Sequence, residues 1–300
     1  MSRKRFQILA VAILSLGALE VRPAQAGSQT LDKIKSAGRI SFGYREASIP
    51  FAYLGTDQSP TGLSLDLCSA VAEKIKSELG LPALETAYVA VNASNRIPLL
   101  QNGTIDVECG STTNTAERQK QVSFSVATYV ASPRWLVLAT SPVREPRDLQ
   151  GKTIAVTQGS LNLGLAEKAI ADEKLGPTIV QPKDHGESML MLRTGRATAW
   201  FEDDILEAGL VANSPDPGAF RMLATGYAPT YYGLMVPKDD PDFKALVDSV
   251  LEEKMASGEF AKLYAKWFEQ PIPPKGQNLA LPMSEAMKAR IAHPSDALIP

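Results

Sequence analysis

The residues from Ser94 to Ser125 have the sequence SNRIPLLQNGTIDVECGSTTNTAERQKQVSFS, which contains both a fold pattern and a candidate binding chemistry. Gly103 predicts the end of a helix over Arg96 to Asn102, and the apolar residues of Ile105 to Glu108 predict a strand. Several hydroxyl side chains and Arg118 follow that strand. Hydroxyl, guanidinium and N–H donors at a helix N-terminus bind carboxylates. The stretch therefore predicts an α/β unit with a site for a small acid.

The same alternation of strands and helices extends over the rest of the chain. Periodicity and turn signals predict strands at Ile40 to Tyr44, Thr86 to Val91, Trp135 to Ala139, Thr153 to Val156, Thr178 to Val180, Thr198 to Phe201 and Tyr232 to Val236. Helices are predicted at Leu63 to Leu79, Leu161 to Lys174, Asp204 to Ala212 and Phe243 to Phe268. This pattern predicts an α/β protein with largely parallel sheets.

A short internal similarity bears on the number of lobes. Leu100 to Asp106 and Leu192 to Thr198 each contain a helix end, a glycine and the start of a strand. Polar residues follow both strands, Ser111 to Thr113 in the first case and Asp203 in the second. Because ligands of open α/β sheets bind at the carboxyl ends of strands, two facing lobes would place both polar groups in one cleft.

The N-terminus has the three parts of a secretory signal peptide. Basic residues within Met1 to Phe6 precede an apolar run from Ile8 to Leu19, and Ala24-Gln25-Ala26 supplies a small-residue cleavage site. The run is shorter than the ~20 residues of a membrane span. We expect residues 1–26 to be removed on export to a bacterial periplasm, with retention as a membrane anchor as the alternative.

The charge of the mature chain argues against a nucleic-acid partner. The full chain has 31 Lys and Arg and 33 Asp and Glu, of which residues 1–26 hold four and one, so that 27 and 32 remain and the net charge is −5. Phosphate binding needs a clustered basic surface, which this sequence lacks. The mature length is sufficient for two lobes with cores of their own.

The two cysteines, Cys68 and Cys109, leave two possibilities open. They form a disulfide in an oxidising compartment, or each is buried separately in its apolar segment. Neither a CxxC motif nor a Cys and His spacing suitable for zinc occurs in the sequence. We therefore expect no metal and no cofactor.

Segments spread over nearly all of the mature chain resemble the periplasmic solute-binding proteins of polar amino-acid ABC importers, family 3. The matching segments are Gly43 to Glu46, Ile49 to Phe51, Asn95 to Gly103, Glu108 to Thr113, Glu117 to Lys120, Lys183 to Gly186, Asp203-Asp204, Lys266 to Phe268 and Pro271 to Pro274. Asn95 to Gly103 and Lys183 to Gly186 point to the branch that binds acidic amino acids. The resemblance implies a receptor for glutamate or aspartate that serves an ABC importer permease and has no enzymatic activity.

The resemblance also implies the type II periplasmic-binding-protein fold, in which two α/β lobes are joined by two hinge strands. Lobe 1 would comprise residues 27–129 and 233–300, and lobe 2, inserted into lobe 1, residues 130–232. The hinges are expected near Thr128 to Ser132 and Pro229 to Tyr232. Ligand bound between the lobes would favour the closed form, and a monomer is the family expectation.

An amino-acid ligand needs donors for its α-carboxylate and an acceptor for its ammonium group. The family pattern implies that Arg118, Ser111 and Thr113 bind the carboxylate and that Asp203 accepts from the ammonium. The alternatives are that Arg118 is a surface residue of a short helix and that the acidic residues 202–204 are the solvated start of a helix.

The side-chain carboxylate of an acidic ligand needs positive charge, because a buried unpaired carboxylate is costly. We expect Arg45, Arg96 and His185 to supply it. Alternatively, Arg45 forms a salt bridge at a strand end, Arg96 lies on a helix surface, and His185 is hydrogen-bonded in a turn. Ser160 is expected to contribute a hydroxyl from lobe 2 or to cap a helix.

Two departures from the pattern of that branch leave the choice of ligand open. Ala93 stands where a hydroxyl residue is usual, and residues 160–162 are Ser-Leu-Asn where two threonines are usual. Another polar amino acid or a dicarboxylic acid is the alternative ligand, and a chemoreceptor is a second candidate partner. An enzyme is the rival class, because periplasmic cyclohexadienyl dehydratase shares the fold; Glu108, His185 or Asp203 would then act as general acid or base.

Overall fold

The computed structural model describes residues 27–298, so the predicted signal peptide lies outside the described residues. Within residues 27–298, no helix combines the length and the apolar character that crossing a membrane requires. The helices are α1 (Gln29–Ala37), α2 (Leu63–Glu78), α3 (Arg96–Gln101), α4 (Ala116–Gln119), α5 (Asn162–Asp172), α6 (His185–Arg193), α7 (Asp204–Ala212), α8 (Pro241–Ala256), α9 (Glu259–Phe268) and α10 (Glu285–Ala292).

The strands are short, and most of them belong to one of two five-stranded sheets. They are β1 (Arg39–Tyr44), β2 (Ala47–Ser48), β3 (Ala52–Leu54), β4 (Pro60–Thr61), β5 (Glu85–Ala90), β6 (Val107–Glu108), β7 (Ser123–Phe124), β8 (Tyr129–Ala131), β9 (Pro133–Leu138), β10 (Thr153–Val156), β11 (Thr178–Val180), β12 (Ala199–Asp203), β13 (Phe220–Met222), β14 (Thr230–Tyr232), β15 (Met235–Val236), β16 (Pro271–Ile272) and β17 (Gln277–Asn278).

The two large sheets organise the molecule into two lobes. The strand order is β5-β1-β6-β15-β7 in lobe 1 and β11-β10-β12-β9-β13 in lobe 2. In each sheet the first three strands are parallel, and the other two join antiparallel. The prediction of largely parallel sheets is therefore wrong for half of each sheet. Strands β9 and β15 each begin at the edge of the sheet where the parallel strands end, since Pro133 lies opposite Asp203 and Met235 opposite Glu108. They therefore run in the opposite direction.

Two antiparallel strands lie side by side where the chain passes between the sheets. Strand β8 pairs with β14, and Tyr129 lies opposite Tyr232. Their rings pack with Phe51 and Phe268, with centroids 5.1 Å apart for Phe51 and Tyr232 and 5.2 Å apart for Tyr129 and Phe268. All four side chains are buried, so this aromatic cluster ties both crossing strands to the core of lobe 1.

Each sheet has apolar side chains on both of its faces. In lobe 2, Phe201 packs with Ile154 on one face, and the preceding residue, Trp200, packs with Leu192 on the other. This division follows from the two-residue period of a strand. In lobe 1, Phe42 belongs to the large core that includes residues of α2, α8 and α9, whereas Phe124 belongs to a smaller cluster.

A disulfide joins Cys68 of α2 to Cys109, the residue after β6. Both cysteines are fully buried, and of the two possibilities left open by the sequence the structure has the disulfide. The bond fastens the end of β6, and hence the loop that begins at Gly110, to α2.

Two predicted elements are divided in the structure. The predicted helix Phe243 to Phe268 consists of α8 and α9, because Gly258 between them has a φ of 78°, which lies outside the helical range. The predicted strand Tyr232 to Val236 is likewise split between β14, which pairs with β8, and β15, which belongs to the sheet of lobe 1.

Candidate functional site

The eight predicted site residues all lie around one cavity between the lobes. Lobe 1 contributes Arg45, Arg96, Ser111, Thr113 and Arg118, and lobe 2 contributes Ser160, His185 and Asp203. The cavity is also lined by Ala93, Leu161, Asn162, Glu202 and Leu206. It has room for no more than about one water molecule, so the two lobes lie close together here.

Strand ends explain why residues distant in sequence meet at this cavity. Arg45 is the first residue after β1, Ser111 follows β6 closely, and Asp203 is the last residue of β12. In both sheets these are the carboxyl ends of parallel strands, where open α/β sheets bind ligands.

Arg45 and Arg96 are buried cations, with exposed fractions of 2% and 3%. Arg96 begins α3, donates from Nη1 to Thr112 Oγ1 at 2.5 Å, and lies 4.0 Å from Glu108 Oε1. Burial lowers the pKa of Arg96; burial and then the charge of Arg96 lower the pKa of Arg45 to about 10. Arg96 is therefore not a helix-surface residue, and among the described residues no acidic oxygen lies within salt-bridge distance of Arg45.

Arg118 lies at the rim of the cavity and contacts both lobes. It belongs to α4, donates from Nη1 to the carbonyl of Thr113 at 2.8 Å, and reaches the carbonyl of Gly159 in lobe 2 at 3.4 Å. Burial and then the charge of Arg96 lower its pKa to about 9. Arg118 is half-buried, and its interlobe contact contradicts the alternative that it is an ordinary surface residue.

Hydroxyl groups lie beside Arg118, but they do not lie at the N-terminus of a helix as the sequence suggested. Ser111 is buried, and its Oγ has no hydrogen-bond partner within the described part of the chain. Helix α4 has a single turn, and Thr115 Oγ1 accepts from the N–H of Arg118. The expected donors are therefore side chains next to a short capped turn, rather than N–H groups at the N-terminus of a long helix.

The Ser160 segment approaches lobe 1 through a glycine. Gly159 has a φ of 73°, and a Cβ at this position would lie 2.6 Å from Ser94 Oγ, so only glycine fits without a shift. Ser160 Oγ accepts from the N–H of Asn162, the first residue of α5, at 2.9 Å, although the N-cap residue of that helix is Leu161 and not Ser160. Ser160 thus both lines the cavity and stabilises the helix start.

His185 is a buried residue at the start of α6 and does not belong to a turn. Its exposed fraction is 2%, and Asp184 caps the helix by accepting from Glu187 N–H at 2.8 Å. Nδ1 lies 3.1 Å from Ser48 Oγ in lobe 1, and Nε2 lies 3.5 Å from Arg45 Nη2. Burial, followed by the charges of Arg45 and Arg96, holds the pKa of His185 well below its usual range, so the ring is neutral.

Glu202 and Asp203 are both 2% exposed, so the solvated-helix-start interpretation is wrong for them. Tyr232 donates its hydroxyl hydrogen to Asp203 Oδ2, and Oδ1 has no partner among residues 27–298. Burial and then the neighbouring Glu202 raise the pKa of Asp203 to about 8. Asp203 thus presents a free carboxyl oxygen in a buried cavity.

Glu202 and Asn162 are cavity residues that sequence reasoning did not assign to the site. Asn162 Nδ2 donates to Glu202 Oε1, while Glu202 Oε2 lies 3.5 Å from His185 Nε2. Both Glu202 and Asp203 reach the cavity because the chain turns from β12 into α7 at this point. In the sequence, Glu202 could be assigned to the site only from the acidic run of residues 202–204, and that run is equally typical of a helix start.

One residue of the rival enzymatic interpretation, Glu108, has another role. It does not line the cavity; its carboxylate accepts from Thr112 Oγ1 at 2.6 Å and lies near Arg96. Among residues 27–298, no group of three His, Cys, Asp or Glu side chains could hold a metal ion.

A tight backbone contact joins the lobes beside the site. A Cβ added to Gly209 of α7 would lie 2.4 Å from the carbonyl oxygen of Ile49 in lobe 1. Such a distance is too short for real atoms, so the observed approach of α7 to Ile49 depends on the absence of a side chain.

Residues 40–270 match the model of the bacterial extracellular solute-binding proteins, family 3. The chain is 48% identical to the L-glutamate/L-aspartate-binding protein of Pseudomonas aeruginosa, with 89% of each chain covered. It is 40% identical to the glutamate/aspartate import solute-binding protein of Escherichia coli, with 96% of each chain covered.

The fold is similar to that of solved amino-acid-binding proteins. A crystal structure of a mutant ArgBP from T. maritima superimposes with a TM-score of 0.71 at 29% identity, covering 80% of this chain and 99% of the other. The two-lobed α/β architecture is therefore shared with proteins of known structure.

Proposed function

The chain belongs to the family 3 bacterial extracellular solute-binding proteins, and on this premise we propose that it binds acidic L-amino acids, glutamate or aspartate, and delivers them to an ABC importer. The observation that carries the proposal is the convergence of Arg45, Arg96 and Arg118 on one interlobe cavity. Three cations around a small cavity suit a ligand with two carboxylates. The names of the two sequence relatives support the same ligands.

The α-amino and α-carboxyl groups are assigned to the side of the cavity near Arg118. Arg118, Ser111 and Thr113 would bind the α-carboxylate, and the unpartnered Oγ of Ser111 supports this role. Asp203 would accept from the ammonium group through its free Oδ1. An ammonium ion beside Asp203 would favour the ionised carboxylate, against the effect of burial on its pKa.

The side-chain carboxylate is assigned to the opposite side of the cavity, between the lobes. Arg45 and Arg96 would neutralise it from lobe 1, and His185 would contribute a neutral N–H from lobe 2. Ser160 would add its hydroxyl near the rim. Since each charge-assisted hydrogen bond contributes about 1.5–3 kcal/mol, the three groups account for a strong preference for a ligand with a polar side chain.

The observed cavity is too small for an amino acid, so the lobes would have to separate to admit the ligand and would close around it less tightly than they do here. We assign residues 27–129 and 233–300 to lobe 1 and residues 130–232 to lobe 2. Hinges near Thr128 to Ser132 and Pro229 to Tyr232 would coincide with the paired strands β8 and β14. The ligand would stabilise the closed form by contacting both lobes, and the importer permease would recognise that form.

Residues 1–26 would direct the chain to the periplasm, where it would act as a monomer. We assign no catalytic step and no cofactor, since the named relatives are transport binding proteins.

Titration calorimetry of refolded, ligand-stripped residues 27–300 tests the proposed function. L-Glutamate, L-aspartate, L-glutamine and prephenate form a suitable panel. We expect one molecule of glutamate or aspartate to bind per chain without chemical change. Turnover of prephenate, or failure of both acidic amino acids to bind, would contradict the proposal.

A further inference from the structure

Glu202 is a buried acid at the place where the ligand's side chain is expected. It lines the cavity, its Oε1 is bound by Asn162, and its Oε2 has no hydrogen-bond partner among the described residues. Oε2 lies 3.5 Å from Nε2 of His185, which in turn lies 3.5 Å from Nη2 of Arg45. An acidic oxygen of Glu202 therefore lies beside His185 and Arg45, the residues that we assign to the ligand's side-chain carboxylate.

The charges around the cavity show why this acid matters. Three guanidinium groups, those of Arg45, Arg96 and Arg118, and two carboxyl groups, those of Glu202 and Asp203, line the cavity. Glu108 does not line it, but its carboxylate lies 4.0 Å from Arg96 Nη1 and offsets the charge of that arginine. With these three carboxyls ionised, the ligand-free set is neutral. Zwitterionic glutamate adds one net negative charge to this buried set, whereas zwitterionic glutamine adds none. A buried uncompensated charge is costly, and a titratable group responds by taking up a proton.

We propose that Glu202 is a specificity-determining residue: an acidic amino acid binds with one more proton in the cleft than its amide does, and Glu202 carries that proton. This inference rests on the proposed function and names the group that balances the ligand's charge. A protonated Glu202 donates from its carboxyl O–H to the ligand's carboxylate. An ionised Glu202 instead accepts from the N–H₂ of a carboxamide, so the cleft accommodates both side chains.

The surroundings of Glu202 favour it as the proton carrier. The charged and titratable groups that face it are Asp203 on its own strand, Asp204 and Glu207 on α7, His185 on α6, Arg45 after β1 and Arg96 on α3. Burial raises the pKa of Glu202, and burial with the two arginines keeps His185 neutral. Asp203 is assigned to the ligand's ammonium, which favours its ionised form, so Glu202 is the remaining acid that lines the cavity.

The preference of the wild-type protein for glutamate over glutamine, measured as a ratio of dissociation constants, tests this directly. If the glutamate complex holds one more proton, the ratio falls about tenfold for each unit rise in pH over the range in which only that complex is protonated. The proton occupancy of the free protein cancels in the ratio. Calorimetry from pH 6 to pH 9, in buffers of different ionisation enthalpy, should also give a difference of one proton between the ligands.

Two variants, one at Glu202 and one at Glu207, test whether Glu202 is the group that carries the additional proton. Glu202→Gln keeps the size of the side chain and the contact with Asn162, and we expect the ratio to become independent of pH and to favour glutamate. Glu207→Gln is the matched control, because Glu207 is equally buried on the neighbouring helix but does not line the cavity. We expect this control to retain the wild-type dependence on pH.

The outcomes separate this inference from the proposed function. A glutamate-to-glutamine ratio that does not vary with pH in the wild-type protein overturns the inference, whether or not Glu202→Gln folds. A ratio that varies equally in Glu202→Gln assigns the proton to another group and also overturns it. Failure of glutamate and aspartate to bind at any pH contradicts the proposed function itself.

Discussion

The hydroxyl of Tyr232, at the end of the crossing strand β14, donates a hydrogen bond to Oδ2 of Asp203 at the end of β12. This contact joins a strand that connects the lobes to the proposed ammonium acceptor. Tyr232 also packs on Phe51 of lobe 1. The orientation of Asp203 in lobe 2 is therefore set by a residue anchored in the core of lobe 1.

Tyr232→Phe should weaken ligand binding while preserving the aromatic cluster. Losing a hydrogen bond to a charged group costs about 1.5–3 kcal/mol, which corresponds to a loss of affinity of roughly 10- to 100-fold. Calorimetric titration with L-glutamate measures the effect. Tyr231→Phe is the control, since Tyr231 is adjacent in sequence but packs against Arg290, whereas the hydroxyl of Tyr232 is the one that binds Asp203. Equal affinities of both variants and the wild type would contradict the role given to Tyr232.

Arg96→Ala should weaken glutamate binding by roughly 10- to 100-fold and glutamine binding less, because the lost charge faces the side-chain carboxylate. The variant also leaves Glu108 without its nearby cation, so urea unfolding should be measured alongside binding. Lys120→Ala is the control, because Lys120 is an exposed cation paired with Glu117. A uniform loss for both ligands would indicate that Arg96 acts on the common α-amino acid group.

Gly209→Ala should impair closure of the lobes without lowering the stability of the fold. Alanine is favoured over glycine in a helix by about 1 kcal/mol, but the added Cβ would meet the carbonyl of Ile49 across the interlobe contact. We expect weaker glutamate binding and a larger radius of gyration in small-angle scattering with ligand present. Gly164→Ala in α5 is the control, since a Cβ there meets nothing within 4 Å. Wild-type affinity of Gly209→Ala would exclude this contact as a requirement for closure.

Removing the disulfide should destabilise the protein more than it affects ligand recognition. The bond closes a separation of 41 residues, and crosslinks of this kind contribute about 2–4 kcal/mol. Urea unfolding of the double variant Cys68→Ser, Cys109→Ser should show that loss. A reductant should lower the stability of the wild type but not that of the double variant. If the double variant were as stable as the oxidised wild type, the disulfide would not stabilise the fold and the prediction would be wrong.

The ligand-free protein should lose stability as the pH rises from 6.5 to 8. Burial raises the pKa of Asp203 to about 8 and that of Glu207 well above its usual range. These acids bind more protons in the folded than in the unfolded state, so stability falls by up to about 1.4 kcal/mol per pH unit for each such proton. His185 has a lowered pKa and contributes in the opposite sense only as the pH falls through about 6.5.

Urea unfolding at several pH values checks this dependence. Glu207→Gln should reduce the slope, whereas Glu252→Gln on the exposed face of α8 should leave it unchanged. A stability that does not fall between pH 6.5 and pH 8 would contradict this prediction, because acids that are already ionised in the folded state bind no extra protons there.

Sequence periodicity was sufficient for most elements because each has a strong local signal. The predicted helix Asp204 to Ala212 and the strands Thr153 to Val156 and Thr178 to Val180 match the structure to the residue. Gly258 was missed as a helix boundary because a single glycine inside an amphipathic run costs only about 1 kcal/mol and does not by itself predict a break. Strand direction was mispredicted because it depends on how the chain passes between lobes, which no local pattern records.

The candidate site was partly predictable for a related reason. Residues that carry a distinctive chemistry, such as Arg96 and His185, could be selected by type and by the family pattern, and the structure places them at one cavity. The burial of Glu202 could not be predicted, because an acidic run at the start of a helix is ordinarily solvated. Only the packing of α5, α6 and β12 around its carboxyl group reveals that it belongs to the site.

A crystal structure of residues 27–300 grown with L-glutamate tests the central claim most directly. We expect the α-carboxylate within hydrogen-bond distance of Arg118, the ammonium beside Asp203, and the side-chain carboxylate between Arg45 and Arg96, with Glu202 in contact with it. Glutamate bound in the reverse orientation, or bound outside this cavity, would contradict the account.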